Sequence, residues 1–216
     1  MDATRVSRIR LGIVRSRVAG VLLAAGGGSR FGRPKALVEL DGQTLAERGV
    51  TMLRAGGTDP VLLVTGAAPV EMAPEHRVRT VHNGEWRTGM GSSLRAALRA
   101  LSPQEDVDAV VVALADQPLV GADAVSRLIA AYHAGATVVV AAYDGRPRNP
   151  ALLAREHWPE VIATATGDQG ARAFLRSRPE LVTLVECADT GRPDDVDTPA
   201  DLDSIVGRPR GSGPVR

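Results

Sequence analysis

The sequence has almost no lysine and almost no cysteine. Of its 26 basic residues, 25 are arginine and one, Lys35, is lysine. The single cysteine, Cys187, cannot form a disulfide within the chain, which suits a reducing cytoplasm. The longest apolar run, VDAVVVALA at 107–115, has the length of a strand, whereas a membrane-spanning helix needs roughly 20 residues. We therefore expect a cytoplasmic protein with no membrane partner.

Several familiar catalytic patterns are also absent. The four histidines are scattered without HxH or HExxH spacing, which argues against a zinc site. No G-x-S-x-G elbow is present, which argues against a serine hydrolase. The net charge of +1 combines +4 in residues 1–17 and +3 in 207–216 with −6 in the body between them. An acidic body argues against a nucleic-acid partner.

The hydrophobic pattern predicts one domain over 18–206, with 1–17 and 207–216 as disordered basic ends. Predicted strands cover 18–24, 60–66, 78–83, 107–118, 136–143 and 181–186. Predicted helices cover 44–57, 91–102, 121–135, 151–162, 168–178 and 199–206, with a loop before 151. Strands separated by helices predict an α/β fold with a mostly parallel sheet, which binds ligands beyond the carboxyl ends of its strands.

A glycine-rich loop follows the first predicted strand and ends on the lone lysine: residues 20–35 read GVLLAAGGGSRFGRPK. The dinucleotide pattern GxGxxG fails because Phe31 stands where it needs glycine, and a Walker A pattern from Gly27 meets Arg-Pro instead of Lys-Ser/Thr. Successive glycines still let backbone N–H groups approach an anion. Arg30 and Lys35 add cations, so the loop is predicted to bind phosphates; the alternative is a glycine turn with solvated arginine.

The pattern L-A-A-G-x-x-x-R-F-G-x-x-K resembles the signature of the MobA-like nucleotidyltransferases, and further blocks match in order across 18–206. That family includes the molybdenum cofactor cytidylyl- and guanylyltransferases and the sugar-phosphate nucleotidyltransferases. The resemblance implies a three-layer, Rossmann-like α/β fold with a mostly parallel mixed sheet. It implies Arg30, Lys35 and Asp116 as catalytic residues. The implied nucleotide-binding residues are Leu23, Ala24, Ala25, Gly26, Gly27, Gly28, Arg30, Lys35, Thr65, Asn83, Gly89, Ser92 and Ser93.

Two acidic blocks resemble the metal-binding segments of this family. LADQP places Asp116 at the end of the most hydrophobic strand, an unfavourable place for a carboxylate unless it is capped, exposed or bound to a cation. DDVDTPADL contains Asp197. The resemblance implies that these two residues bind Mg²⁺, which prefers a few carboxylates with phosphate oxygens and water. Thr198 and the proline after it also predict a helix N-terminus, and Asp194 and Asp195 are expected to form a solvated acidic loop.

The remaining blocks bear on the two substrates. The segment HNGEWRTGMGSSLRAAL resembles N-x(5)-GM-x-SSL of the cytidylyltransferases and lacks the Gly-Pro-Leu stretch of the guanylyltransferases, which favours CTP over GTP. Its two serines, Ser92 and Ser93, either bind the nucleotide or cap a helix. RPRNPALL and TGDQGARAFL resemble acceptor-side segments of molybdopterin cytidylyltransferases, with a plain surface helix as the alternative for Arg172. The implied acceptor-binding residues are Gln117, Arg148, Asn149, Pro150, Gly167, Asp168, Gly170 and Arg172.

These blocks together give the hypothesis that CMP is transferred from CTP to the phosphate of molybdopterin or its metallated form, with release of pyrophosphate. The acceptor phosphate is anionic at neutral pH, because its second pKa is about 6. The reaction therefore needs charge neutralisation, alignment and a metal rather than a general base. A molybdoenzyme or its chaperone would be a further partner. Three alternatives stay open: a GTP-using guanylyltransferase, an NAD(P)H-dependent oxidoreductase of the nicotine-blue-reductase type, and a non-catalytic nucleotide-binding chaperone of a molybdoenzyme.

Overall fold

A seven-stranded sheet forms the centre of the protein. The computed structural model describes residues 17–206. Of the ends predicted to be disordered, 207–216 and all of 1–17 except Arg17 therefore lie outside the described residues. Arg17 begins the first strand, one residue before the predicted start of that strand. The strands are β1 (Arg17–Leu23), β2 (Glu39–Leu40), β3 (Gln43–Thr44), β4 (Val61–Thr65), β5 (Val78–His82), β6 (Val107–Leu114), β7 (Val138–Tyr143), β8 (Arg146–Ala154) and β9 (Val182–Glu186). The sheet order is β5-β4-β1-β6-β8-β7-β9, while β2 and β3 form a separate small hairpin.

The sheet is mixed and mostly parallel, as the family resemblance implies. Strand β1 pairs in parallel with β4 and β6, and β4 pairs in parallel with β5. Strand β8 runs antiparallel to both of its neighbours, β6 and β7. The carboxyl ends of β1, β4, β5 and β6 therefore lie at one edge of the sheet.

Strand β8 corrects the sequence prediction, which placed a loop before 151 and a helix over 151–162. Residues 146–154 form one strand, and its second half is buried between neighbours, with Leu152 opposite Val111 and Leu153 opposite Val110. A short apolar run is consistent with either a buried strand or a buried helix segment, and periodicity alone does not separate them.

Helices cover both faces of the sheet. They are α1 (Leu45–Ala55), α2 (Met90–Leu101), α3 (Ala122–His133), α4 (Trp158–Thr164), α5 (Arg172–Ser177) and α6 (Pro199–Val206). Side chains of β1 alternate between the two faces, so Leu22 packs in one cluster with Leu53 of α1 and Leu128 of α3. Val21 packs in the other cluster with α2, α4 and α5 residues such as Leu98. The result is a three-layer α/β fold, and none of the helices within 17–206 is long and apolar enough to cross a membrane.

Candidate active site

The glycine loop after β1 is closed by a tight turn at Gly28. Its backbone φ is +61°, and the N–H groups of Phe31 and Gly32 both donate to its carbonyl oxygen at 2.9 Å. A Cβ at this position would lie 2.0 Å from the carbonyl oxygen of Arg33, so only glycine fits. The N–H groups of residues 25–28 donate to no other residue within 17–206, which leaves several backbone donors for an anion.

Lys35 bridges the two carboxylates predicted to bind a metal. Its Nζ lies 2.5 Å from Oδ2 of Asp116 and 2.9 Å from Oδ1 of Asp197. The other oxygen of Asp197 lies 3.1 Å from Nη1 of Arg30. The Lys35 side chain is only 19% exposed. Residues 81 positions apart in the chain therefore converge on the end of the glycine loop.

The charges in this cluster support one another. Burial alone would lower the pKa of Lys35, but the Asp116 and then the Asp197 carboxylate outweigh burial, and the pKa is raised. The hydrogen bond from Lys35 is the main reason that the pKa of Asp197 is lowered. Lys35 and Asp197 are therefore both charged at neutral pH.

A single cation can reach both carboxylates. The two oxygens that contact Lys35 both lie within 2.9 Å of its Nζ, so a cation in the place of the ammonium would lie between them. Within 17–206 no three His, Cys, Asp or Glu side chains group as metal ligands, so the protein itself offers two. Two carboxylates completed by phosphate oxygens and water match the coordination that Mg²⁺ prefers. The site therefore fits a divalent cation that arrives together with a triphosphate.

Asp197 is held in place by the start of α6. The Asp201 carboxylate accepts hydrogen bonds from the backbone N–H groups of Asp197 and Thr198, at 3.1 and 2.8 Å, and from the Thr198 hydroxyl. The predicted helix N-terminus is thus confirmed, and it coexists with the carboxylate pair.

A first cavity of about 320 Å³ opens beside Lys35 and Asp116. Of the residues predicted to bind the nucleotide, it is lined by Leu23, Ala24, Ala25, Gly26, Lys35, Gly89 and Ser93. The other residues predicted to bind the nucleotide do not line this cavity: Gly27, Gly28, Arg30, Thr65, Asn83 and Ser92. Sequence reasoning missed Trp86, Arg87 and Met90, which also line the cavity. All three lie inside the segment HNGEWRTGMGSSLRAAL, but nothing in the sequence marked these three positions as lining a cavity.

Asn83 and Ser92 are buried and bonded to their own neighbourhood. The Asn83 side-chain amide donates to the hydroxyls of Ser92 and Ser93 at 2.8 and 3.0 Å. The Ser92 hydroxyl reaches the carbonyl oxygens of Glu85 and Gly89. Helix α2 begins after Gly89 without a side-chain cap, so the alternative of a serine N-cap is wrong. The network instead fixes the loop between β5 and α2, and only Ser93 also faces the cavity.

A second cavity, of about 730 Å³, lies under α5. Four residues predicted to bind the acceptor line it, namely Gln117, Arg148, Asn149 and Arg172. Three others do not line the second cavity, namely Pro150, Gly167 and Gly170. Asp168 lines the first cavity instead. Arg176 and Asp195 were missed as lining residues.

Two residues that line the second cavity, Gln117 and Asp195, are bonded to each other. Asp195 keeps part of its surface exposed, as expected of an acidic loop, but its carboxylate faces the protein and accepts a hydrogen bond from Nε2 of Gln117 at 2.9 Å. Partial burial raises the pKa of Asp195. Oε1 of Gln117 is buried and receives no hydrogen bond from the part of the chain that the structure describes. Because an unpaired buried oxygen is costly, it is ready to accept from a ligand N–H or O–H.

The two cavities lie next to each other just after the end of β6. Asp116 lines the first and its neighbour Gln117 lines the second. A small third cavity of about 40 Å³ shares Met90 with the first and Asn149 and Arg172 with the second. The arrangement suits two ligands placed side by side.

Comparison with known proteins decides the family. Residues 20–182 match the MobA-like NTP transferase domain. The chain belongs to this family. As a MobA-like NTP transferase, it falls in a family of nucleotidyltransferase enzymes that act on nucleoside triphosphates.

The proteins to which this chain is similar are named for different activities. A protein of Paenarthrobacter nicotinovorans named nicotine blue oxidoreductase is 40% identical over 193 residues, covering 84% of this MobA-like chain and 92% of the relative. A probable molybdenum cofactor guanylyltransferase of Opitutus terrae is 33% identical over 170 residues, covering 79% and 80%. The crystal structure of Rv0371c from Mycobacterium tuberculosis has a TM-score of 0.74 at 27% identity, covering 89% and 99%. A further structure of Rv0371c, with a TM-score of 0.66 and 26% identity over 88% and 98%, is a complex with manganese.

Proposed function

We propose that this MobA-like protein transfers CMP from CTP to the phosphate of a pterin-type acceptor, molybdopterin or its metallated form, in a Mg²⁺-dependent reaction that releases pyrophosphate. One observation carries the proposal. The paired carboxylates of Asp116 and Asp197 lie at the end of the glycine loop, where the first cavity adjoins the second. A transferase needs both a metal-binding triphosphate site and an adjacent place for the acceptor.

The first cavity would hold CTP. Backbone N–H groups of residues 25–28 point to phosphate binding, with Arg30 and Lys35 adding positive charge. Ser93 is the serine that can reach a bound nucleotide, since it lines the cavity. Asp116 and Asp197 would hold Mg²⁺, which supplies neutralisation and alignment of the phosphates when bound. With Mg²⁺ bound by the two carboxylates, the Lys35 ammonium would be free to contact the phosphate chain.

The second cavity would hold the acceptor. Arg148 and Arg172 suit its phosphate, because a guanidinium can donate two parallel hydrogen bonds to phosphate oxygens. The carbonyl of Gln117 is placed to accept a hydrogen bond from an N–H or O–H of the acceptor. An oxygen of the acceptor phosphate forms the new bond to the α-phosphorus of CTP. The bond from that phosphorus to the bridging oxygen breaks, and pyrophosphate leaves.

Pyrophosphate release tests the proposal. The purified protein is incubated with molybdopterin, Mg²⁺ and CTP, GTP or ATP, and pyrophosphate and the nucleotidylated product are measured. We expect turnover with CTP, loss of it with EDTA, and a loss of at least about 100-fold in Asp116→Asn, since the metal would lose one carboxylate. Arg99→Gln, at an exposed position of α2 outside both cavities, is the control. Turnover only with GTP would replace the base in the proposal, and CTP binding without product would indicate a nucleotide-binding chaperone.

The second candidate function is NAD(P)H-dependent reduction of a dye-like acceptor. It is favoured by the relative named nicotine blue oxidoreductase, which is 40% identical to this chain. Here the first cavity would bind the nicotinamide nucleotide and the second the dye, and hydride would pass from the nicotinamide to the dye. Loss of NADPH absorbance on addition of nicotine blue, unaffected by EDTA and by Asp116→Asn, would establish this function and overturn the transferase.

A further inference from the structure

We propose that Arg87, held against the indole of Trp86, contacts the phosphate chain of the nucleotide bound in the first cavity. The inference rests on the proposed use of that cavity by a nucleotide. It assigns a phosphate-contacting residue outside the glycine loop.

The charge balance of the first cavity leads to Arg87. Two basic side chains line this cavity, Lys35 and Arg87. The charge of Lys35 is already matched by two carboxylates. Arg87 forms no salt bridge with any residue of the described range 17–206, and its guanidinium lies over the ring of Trp86. Because Asp116 and Asp168 also line the cavity, an incoming polyanion needs a cation whose charge is not yet matched.

Trp86 brings that cation to the glycine loop. A Cβ at Gly27 would lie 3.1 Å from Cη2 of Trp86, and a Cβ at Gly66 would lie 2.6 Å from its Cβ. The indole is therefore packed tightly between the loop and the end of β4, in space that only glycines leave open. The guanidinium carbon of Arg87 lies 4.4 Å from the centre of the Trp86 ring. Arg87 is thus held by a cation–π contact on a ring that touches the loop predicted to bind the phosphates.

The chemistry of arginine fits this position. Its planar guanidinium stacks on an aromatic ring and still presents N–H donors at its edge. Those donors can form two parallel hydrogen bonds with phosphate oxygens. Lysine would keep the charge but would lose both the stacking and the paired donors.

Isothermal titration calorimetry with ligands that differ only in phosphate number tests the inference. Cytidine, CMP and CTP are titrated with Mg²⁺ into the full-length wild type, Arg87→Gln, Arg87→Lys and the control Arg99→Gln. We expect Arg87→Gln to weaken CTP binding roughly tenfold, the size of a lost hydrogen bond to a charged group. CMP should lose less and cytidine nothing, Arg87→Lys should fall between the wild type and Arg87→Gln, and Arg99→Gln should match the wild type.

The outcomes separate this inference from the proposed function. Equal losses for cytidine, CMP and CTP would mean that Arg87 only supports the shape of the cavity, and unchanged CTP binding would remove it from the site; either overturns the inference and leaves the transferase standing. If the wild type binds NADPH and not CTP, the transferase fails. The same variants are then titrated with NADPH and nicotinamide riboside, and a loss confined to NADPH supports the phosphate contact. A wild type that binds none of CTP, GTP and NADPH overturns both proposals.

Discussion

Replacing Lys35 by methionine removes the ammonium that bridges Asp116 and Asp197 while keeping a side chain of similar length. The two carboxylates would then face each other with Arg30 as the remaining cation. We expect the variant to fold, to be less stable than the wild type, and to be stabilised more than the wild type by Mg²⁺ alone. The third expectation follows because Mg²⁺ would take the place that the ammonium leaves.

The size of the effect follows from the contacts. Lys35 makes two charge-assisted hydrogen bonds, at 2.5 and 2.9 Å, and a hydrogen bond to a charged group is worth about 1.5–3 kcal/mol when fully buried. The side chains of Lys35, Asp116 and Asp197 are 19%, 24% and 33% exposed, so water compensates for part of the loss. We therefore expect a loss of about 2 kcal/mol in the free energy of unfolding, or a Tm lower by about 4–8 °C for a domain of this size.

Thermal unfolding followed by circular dichroism measures both effects, with and without millimolar MgCl₂. Arg33→Met is the matched control, since Arg33 is an exposed cation in the same loop that lines neither main cavity. Equal Tm values for Lys35→Met and the wild type would contradict the bridging role of Lys35. A Tm of Lys35→Met that does not respond to Mg²⁺ would contradict the assignment of Asp116 and Asp197 as metal ligands.

Three further predictions concern single positions. Lys35→Arg should keep the fold, measured as a Tm close to that of the wild type, because it keeps the positive charge that pairs with the two carboxylates. It should lose most of the kcat for pyrophosphate release, because a rigid planar guanidinium cannot follow a phosphate as the flexible lysine side chain can; near-normal kcat would make the lone lysine incidental. Gly28→Ala should abolish detectable CTP binding by calorimetry, because its Cβ would lie 2.0 Å from a backbone oxygen, whereas Gly84→Ala, with nothing within 4 Å, should keep the wild-type Tm. Glu186 accepts hydrogen bonds from the N–H groups of Gly145 and Ala188, which, in that order, lower its pKa below the usual 4.5. Its contribution is therefore complete above about pH 4.5 and is lost as the pH falls through the lowered pKa, so the Tm deficit of Glu186→Gln should be present at neutral pH and shrink in acid; a deficit that does not change with pH would contradict this.

The sequence was sufficient to predict the parallel strands of the large sheet but not its antiparallel strand β8, nor the small antiparallel hairpin of β2 and β3. Buried β-branched runs such as Val61–Thr65 and Val138–Tyr143 are strand-length and flanked by turns, so their pattern has one reading. Strand β8 contains two prolines, and proline within a run argues against a strand. Its pairing depends on β6 and β7, which lie far away in the sequence, so local rules do not reach it.

At the candidate site the sequence identified residue types better than contacts. Only the family resemblance predicted that Asp116 and Asp197 lie close together. Their separation of 81 positions in the chain carries no spacing signal. The roles of Ser92 and Ser93 could not be separated in advance, since a buried network and a ligand contact require the same hydroxyl. Arg87 could not be chosen among 25 arginines until its contact with Trp86 was known.

The carboxylate pair also bears on the choice between the two candidate reactions. Partly buried carboxylates are unfavourable without a partner, and here Asp116 and Asp197 occupy the chain's one lysine and an arginine of the glycine loop. Hydride transfer from a nicotinamide to a dye would leave the two carboxylates only their structural role as partners of Lys35 and Arg30. The proposed nucleotidyl transfer would give all four groups a chemical role, since Asp116 and Asp197 would hold the metal and Arg30 and Lys35 would contact the phosphates. The similarity to a protein named oxidoreductase therefore weighs less than the charges that this chain places at the end of its glycine loop.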